Sequence, residues 1–406
     1  MWELISSNKR KSLVLFISLG IVLILLGFVI GSAYLPENGG YVGVFFALIL
    51  WGILTMVSYF SGSKILLAVS GAKEITQDVH PQLFNVVEEM KIASGWKYMP
   101  KIYIINSDAP NAFATGIKPE NTAIAVTAGL LGRLNRDELQ GVIAHEMSHI
   151  VNRDILFMTF AGMMLGAIVL ISQVFLRSFW FTGGGGRYRS KSRDSGQAQL
   201  IFLGIAILFA ILAPIMAQLL YFAISRKREY LADASAVRFT RYPEGLASAL
   251  EKISTSTEEL KTANKVTAPM YIVNPLKPKG MKLSDLTSTH PPISERIRIL
   301  RSIGQGANYF NYQQAFNKVT GKSSVLIPKS GLSDVTKIGL RTAAAGIPLA
   351  GLNLKQTQRE TGDIMMRVNN YSFINCECGL RLKVPPEYKN DIVICPKCGR
   401  KHEIVR

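Results

Sequence analysis

The chain has 406 residues, 48% of them hydrophobic and 18% charged, with a formal net charge of +18. The length holds two or more domains, and the apolar share is too high for an ordinary soluble protein. With no recognised nucleic-acid motif present, the positive charge reads as attraction to an anionic lipid surface and retention of loops in the cytoplasm, not as nucleic-acid binding.

Four apolar runs carry no charged residue, at about 13–35, 41–60, 155–176 and 200–224. Each is near or above the roughly 20 residues of a spanning helix, which predicts four transmembrane helices. The first follows Asn8-Lys9-Arg10-Lys11. Its apolar part exceeds the roughly 7–15 residues of a signal-peptide core, and no A-x-A cleavage site follows, so it reads as a retained anchor. Lys9, Arg10 and Lys11 place the N-terminus in the cytoplasm. The turn at 36–40 has no basic residue and goes outside. Lys64 and Lys73 bring the chain back, and the basic stretch 225–229 is again inside. The expected location is thus the inner (cytoplasmic) membrane, multi-pass, with the domain that holds 62–304 and the C-terminus in the cytosol. The loop 177–196 opposes this order, because Arg177, Arg187, Arg189, Lys191 and Arg193 fall on the outer side. The hairpin 155–224 either crosses against the rule or dips in without crossing.

Residues 1–61 form the N-terminal hairpin. Beyond them, 78–95 has an Asp or His cap, an early Pro, helical apolar spacing and a Gly stop, which predicts a helix. The alternating, β-branched 101–107 predicts a strand, and 111–118 and 121–129 are shorter strands joined by a turn. Together they make a small β-sheet. Asn135 followed by Glu138 is a capping box that opens the helix 135–150.

That helix carries His145-Glu146-Met147-Ser148-His149. Residues four apart share a helix face, so both histidines reach one zinc ion, while Glu146 reaches the water rather than the metal. Zinc lowers the pKa of such a water to about 7, and the carboxylate takes its proton as general base. A catalytic zinc needs a third protein ligand. Glu229 and Asp233 in the stretch 225–237 are again four apart: Glu229 as ligand, Asp233 as an acceptor that fixes a ligand imidazole. Taken alone, that pair reads as mixed charge on an exposed helix. His149 precedes the third apolar run by about 9 Å of helix and Glu229 follows the fourth by about 7–8 Å. A hairpin of the two runs therefore brings all three to one height. The zinc helix and the third run read as one helix rising from the membrane.

Residues 144–154, 225–237, 111–116 and 288–300 together resemble the HtpX-type membrane zinc metalloproteases, more distantly the CAAX prenyl proteases, over roughly residues 1–304. The resemblance implies an integral membrane endopeptidase with His145, His149 and Glu229 on zinc and Glu146 as base. It implies a role in protein quality control, with membrane or membrane-associated proteins cleaved at the cytosolic surface. It implies that Asn111, Ala112 and Phe113 lie on the edge strand that pairs with substrate; taken alone they read as an ordinary strand. It implies that His290, with Arg296 nearby, stabilises the oxyanion; a His before Pro-Pro also reads as a loop or cap residue.

Residues 305–370 read as a linker or small domain of unknown role. The tail 371–406 holds all four cysteines, Cys376, Cys378, Cys395 and Cys398, in pairs each followed by Gly. In a cytosolic tail this favours metal over disulfides and predicts a zinc ribbon with a structural zinc. A redox pair or an iron–sulfur site fits the same residues.

The expected fold is a mainly α membrane protein with a zincin-like HExxH metallopeptidase domain at 62–304, its small sheet and a C-terminal zinc ribbon, holding one catalytic and one structural zinc. The alternative is a non-catalytic zinc-binding membrane scaffold or adaptor.

Overall fold

Two glycine-rich apolar helices open the chain, α1 (Trp2–Tyr34) and α2 (Gly39–Val69), with Asn38 left-handed between them at φ 59°. Their backbones nearly touch. A Cβ on Gly43 would fall 2.0 Å from the Gly27 carbonyl oxygen, and one on Gly31 2.1 Å from that of Gly39. Small residues at a four-residue spacing let apolar helices pack closely where lipid supplies no hydrophobic drive. In this computed structural model, residues 2–35, 37–181, 193–263, 267–273, 275, 290–304, 306–321, 325–327, 329–332, 338–343 and 354–404 are described.

A four-stranded sheet follows, formed by β1 (Ala72–Glu74), β2 (Lys101–Ile105), β3 (Ala112–Gly116) and β4 (Thr122–Thr127) in the order β1-β2-β4-β3. β2 and β4 are parallel; the β1–β2 and β3–β4 pairs are antiparallel, which leaves β3 at an edge. α3 (Pro81–Ser94) precedes β2. The His80 ring accepts the Leu83 N–H at 3.1 Å as its cap, and Gly95 ends it at φ 71°. Alternation along the strands splits the sheet between two cores. Ile102, Ile104, Ala112, Ala114, Ile124 and Val126 pack with the peptidase helices. Ile105, Phe113, Ala123 and Ala125 pack with α1 and the helices of the membrane hairpin. The sheet is thus the plate between the catalytic core and the apolar helices.

α4 (Ala128–Arg133) leads into α5 (Arg136–Val151), which opens on the expected capping box: Glu138 N–H to Asn135 Oδ1 at 2.9 Å and Asn135 N–H to Glu138 Oε2 at 2.8 Å. Next come α6 (Asp154–Phe181) and α7 (Arg193–Thr240). The zinc helix and the apolar run are not one helix. The chain breaks at Asn152 and Arg153, with Arg153 left-handed at φ 62°. It is α7 that runs unbroken, for 48 residues, from the apolar zone to Glu229 and beyond.

Three stretches among the described residues are long and apolar enough to cross a membrane: Ser12–Tyr34, Gly39–Val69 and Asp154–Ser178. The expected fourth is a shorter apolar stretch, Leu203–Gln218, inside α7. On length and apolarity, three described stretches qualify as spans, and the expected fourth is represented among the described residues by this shorter stretch. Part of the opposing basic loop, 182–192, lies outside the described residues.

α8 (Pro243–Thr255), α9 (Ile293–Arg301) and α10 (Tyr309–Thr320) close the peptidase core, with the four-residue α11 (Lys329–Leu332) after them. Segment 305–370 is thus more than a tether where it is described. Tyr312 and Phe316 of α10 are buried in the peptidase core, and Arg341 bonds Asp137 at 2.7 Å and Gln140 at 2.6 Å on α5. α12 (Leu354–Val368) packs against α4 and carries the tail, β5 (Ser372–Asn375) with β6 (Arg381–Val384) and β7 (Ile392–Ile394) with β8 (Lys401–Glu403). Asp363 on α12 pairs with Arg381 at 3.1 Å and Lys383 at 2.6 Å, so the tail module is tied to the peptidase domain.

Candidate metal centre and active site

α5 lies buried along nearly its whole length, so its two histidines point into protein, not solvent. Their Nε2 atoms stand 3.2 Å apart. Glu229 arrives from α7 with Oε2 at 3.5 Å from His145 Nε2 and Oε1 at 3.6 Å from His149 Nε2. Glu229 Oε2 is buried and accepts no hydrogen bond, with Arg296 Nη1 3.6 Å away as an ion-pair neighbour. A buried carboxylate oxygen without one is costly unless a cation completes it. Two imidazole nitrogens and a carboxylate oxygen within 4.8 Å of one another are a donor set suited to zinc. The residues present fit the metal.

The other ring nitrogens are also held. His145 Nδ1 lies 3.0 Å from Asp233 Oδ1, one turn along α7 from Glu229, and His149 Nδ1 lies 3.2 Å from Asp154 Oδ2. A carboxylate on Nδ1 directs the Nε2 lone pair toward a metal. Asp233 is clamped in turn by Arg296, whose Nε and Nη2 donate to its two oxygens at 2.9 and 2.7 Å. Asp154 and the clamping role of Arg296 do not emerge from the sequence reading. The signal for Asp154 is a carboxylate five residues past the second histidine; a continuous helix would have turned it away.

Burial opposes charge on His145, but the Asp233 and Glu229 carboxylates outweigh it and raise its pKa to about 9. Burial would push Glu229 up, yet the neighbouring His290, His145 and His149 bring it well below the usual carboxylate range. The site is built for a carboxylate facing positive charge. Glu146 is buried beside them, and burial raises its pKa against the pull of His145 and His149. A raised carboxylate is a stronger base, as proton abstraction from water requires.

His290 is buried with Nε2 3.6 Å from Glu229 Oε2, and burial lowers its pKa to about 4 against the pull of Glu229. It is neutral at pH 7 and can still donate an N–H. Ala112 and Phe113 sit on edge strand β3 and Asn111 just before it, facing the chain's own segment 271–273. Ala112 O accepts from Ile272 N at 2.9 Å, Asn111 Nδ2 donates to Val273 O at 2.8 Å, and Phe113 packs edge-on to Tyr271.

In the tail, Cys376 lies 3.4 Å from Cys398 and Cys378 3.6 Å from Cys395, sulfur to sulfur. All four thiols lie within 4.8 Å of one another. Each turn closes on the glycine that follows its second cysteine. Gly379 N–H bonds Cys376 O and Gly399 N–H bonds Cys395 O, each at 2.9 Å, with both glycines left-handed at φ 83° and 73°. The C-x-C pair closes with a bond over three residues and the C-x-x-C pair over four, and each brings its two thiols to one cluster.

A family model described as Peptidase family M48 matches residues 77–304, which contain every residue of the histidine–glutamate cluster. The chain belongs to peptidase family M48. It is 47% identical to the protease HtpX homolog of Dictyoglomus turgidum over 305 residues, 75% of this chain and 95% of that protein. It is 42% identical to the protease HtpX homolog of Streptococcus uberis, over 74% of this chain and 99% of that one. This M48 chain is an HtpX-type metalloprotease, and a quarter of its length lies outside those matches. The crystal structure of S. mikatae Ste24p overlaps 74% of this chain and 67% of its own, at 20% identity and a TM-score of 0.40, too loose to bear on the site.

Proposed function

We propose that this M48 protease is a membrane-embedded zinc endopeptidase that cleaves membrane or membrane-associated proteins at the cytosolic surface, in protein quality control. The observation that carries it is the buried Glu229 Oε2, without a hydrogen bond, beside two Nε2 atoms whose rings are fixed from behind. His145, His149 and Glu229 hold the zinc. Zinc bound there supplies Lewis acidity to a scissile carbonyl and to water. Glu146 takes the proton from water and hands it to the leaving amine. The neutral His290 donates its N–H toward the oxyanion. Asp233 and Asp154 keep the two imidazoles in register, and Arg296 keeps Asp233 charged and still. An extended substrate pairs with β3 along Asn111, Ala112 and Phe113, taking the place that Ile272 holds at the Ala112 carbonyl. The four tail thiolates hold a second, structural zinc.

Four spans and a cytosolic site are supported by two contacts. Tyr34 Oη and Ser178 Oγ are 2.8 Å apart, so the far end of α6 reaches the level of the far end of α1. Arg228 Nη2 donates to Ser12 Oγ at 3.0 Å, which joins the basic start of α1 to the basic stretch of α7 on one side.

The test uses full-length protein in detergent with zinc and an unfolded polypeptide. Wild type is expected to cleave it and Glu146→Gln to bind zinc without cleaving. Cleavage at the wild-type rate by Glu146→Gln would overturn the mechanism.

A further inference from the structure

α1 and α6 run parallel, with Phe16 against Phe160 at 5.7 Å near the start and Tyr34 against Phe175 at 5.9 Å near the end. Between residues 12–16 of α1 and the first turns of α6 lies a cleft of about 310 Å³, within the range of small-molecule sites, about 300–1,000 Å³. Ser12, Leu13 and Phe16 line one wall, and Leu156 and Phe160 the other, with Arg153 beside them. Leu13 is 58% exposed, so the cleft is open at its side.

Its position names the surroundings. Ser12 is the first residue of one candidate span, and Arg153 immediately precedes another. The cleft therefore opens where hydrocarbon gives way to headgroups, and the molecules that press against it there are lipids. Its walls are almost wholly apolar, which suits an acyl chain. From Arg153 to Phe160 the helix descends about 10 Å, the depth of several methylenes.

Arg153 supplies the other half. It is half-buried at φ 62°, a conformation uncommon for a non-glycine residue and found where surroundings demand it. Its guanidinium lies over the Trp96 ring at 5.0 Å; Glu120 acts on it electrostatically, but among the described residues no carboxylate is within ion-pair distance of it. Stacking covers one face of the fork and leaves its N–H edges for an oxyanion, the geometry that matches phosphate.

We infer that the cleft binds one anionic phospholipid of the cytoplasmic leaflet, its acyl chain between α1 and α6 and its phosphate on Arg153. The lipid then touches a relay to the metal centre. Ser12 Oγ accepts from Arg228, Arg228 Nη1 lies 3.5 Å from Asp154 Oδ1, and Asp154 Oδ2 lies 3.2 Å from His149 Nδ1. The binding site itself stands without the metal assignment.

Native mass spectrometry of the full-length protein in detergent tests it, with phosphatidylglycerol and phosphatidylcholine of identical chains as probes. Wild type is expected to retain one phosphatidylglycerol with a preference of about five-fold, the weight of one basic residue at an anionic surface. Arg153→Gln should hold both lipids alike, and Arg153→Lys should restore part of the preference. Leu13→Trp, at an exposed position, should plug the side opening and lose both. Equal retention of the two lipids by wild type, or an unchanged preference in Arg153→Gln, would overturn the proposal. So would displacement of the lipid by inorganic phosphate alone, which marks a simple anion site, or by an apolar peptide alone, which marks a substrate contact. A variant that unfolds is recognised by its melting temperature, and the lysine variant then decides.

Discussion

Asp154 stands five residues beyond His149, and only the left-handed turn at Arg153 brings its carboxylate back onto that imidazole. Asp154→Asn should therefore weaken zinc binding by about 10–100-fold with the three ligands intact, as loss of a carboxylate behind a ligand histidine does. Competition with a chelator measures it. Arg296 is wholly buried against Asp233. Arg296→Met leaves that carboxylate buried without its partner, a loss of about 3–5 kcal/mol, read as a fall in melting temperature. Arg296→Lys should recover only part, because an ammonium cannot donate to both oxygens in a fixed fork. At this scale the spacing of His145, Glu146 and His149 was legible, because helical periodicity puts them on one face. The carboxylates behind them were less so, because burial, not spacing, gives Asp154 and the Asp233–Arg296 pair their weight.

Among the elements, the helices flanking the membrane reverse the expectation. No glycine or proline marks the end of α5, so its apolar continuation reads as one helix. The break rests instead on Asn152 as the final cap and Arg153 in a left-handed turn. Pro214 lies inside α7 and does not end it, because a helix packed among neighbours tolerates one lost N–H bond. The close α1–α2 pair gives an element-scale prediction. Gly43→Leu puts a side chain where the Gly27 carbonyl lies. It should cost about 1–3 kcal/mol as overpacking, seen as a lower melting temperature in detergent and faster proteolysis at the turn through Asn38. β3 was legible as a strand from its own pattern, and as an edge strand only through the family resemblance. Segment 271–273 lies some 160 residues beyond β3, and its bond to Ala112 exists because the fold returns it there.

For the whole molecule, the decisive measurement is metal content. Wild type should hold two zinc ions per chain. Cys376→Ser should lose one and His145→Ala the other, with elemental analysis of the purified full-length protein as the readout. Independent loss is expected because the two clusters share no ligand. The tail is nevertheless fastened to the peptidase domain: α12 packs on α4, and Lys73 Nζ donates to Asn369 at 2.6 Å.

Local chemistry was enough to determine from sequence that apolar helices, a small sheet, an HExxH helix and paired cysteines were present, because caps, periodicity and ligand spacing act over a few residues. Tertiary structure decided what lies far apart in the chain yet meets in space. It set Glu229 against two histidines some 80 residues earlier, joined α10 and Arg341 to the peptidase core and made the sheet a plate between two apolar cores. Those contacts are fixed by burial and by the pairing of charges removed from water, and neither is carried by any one segment alone.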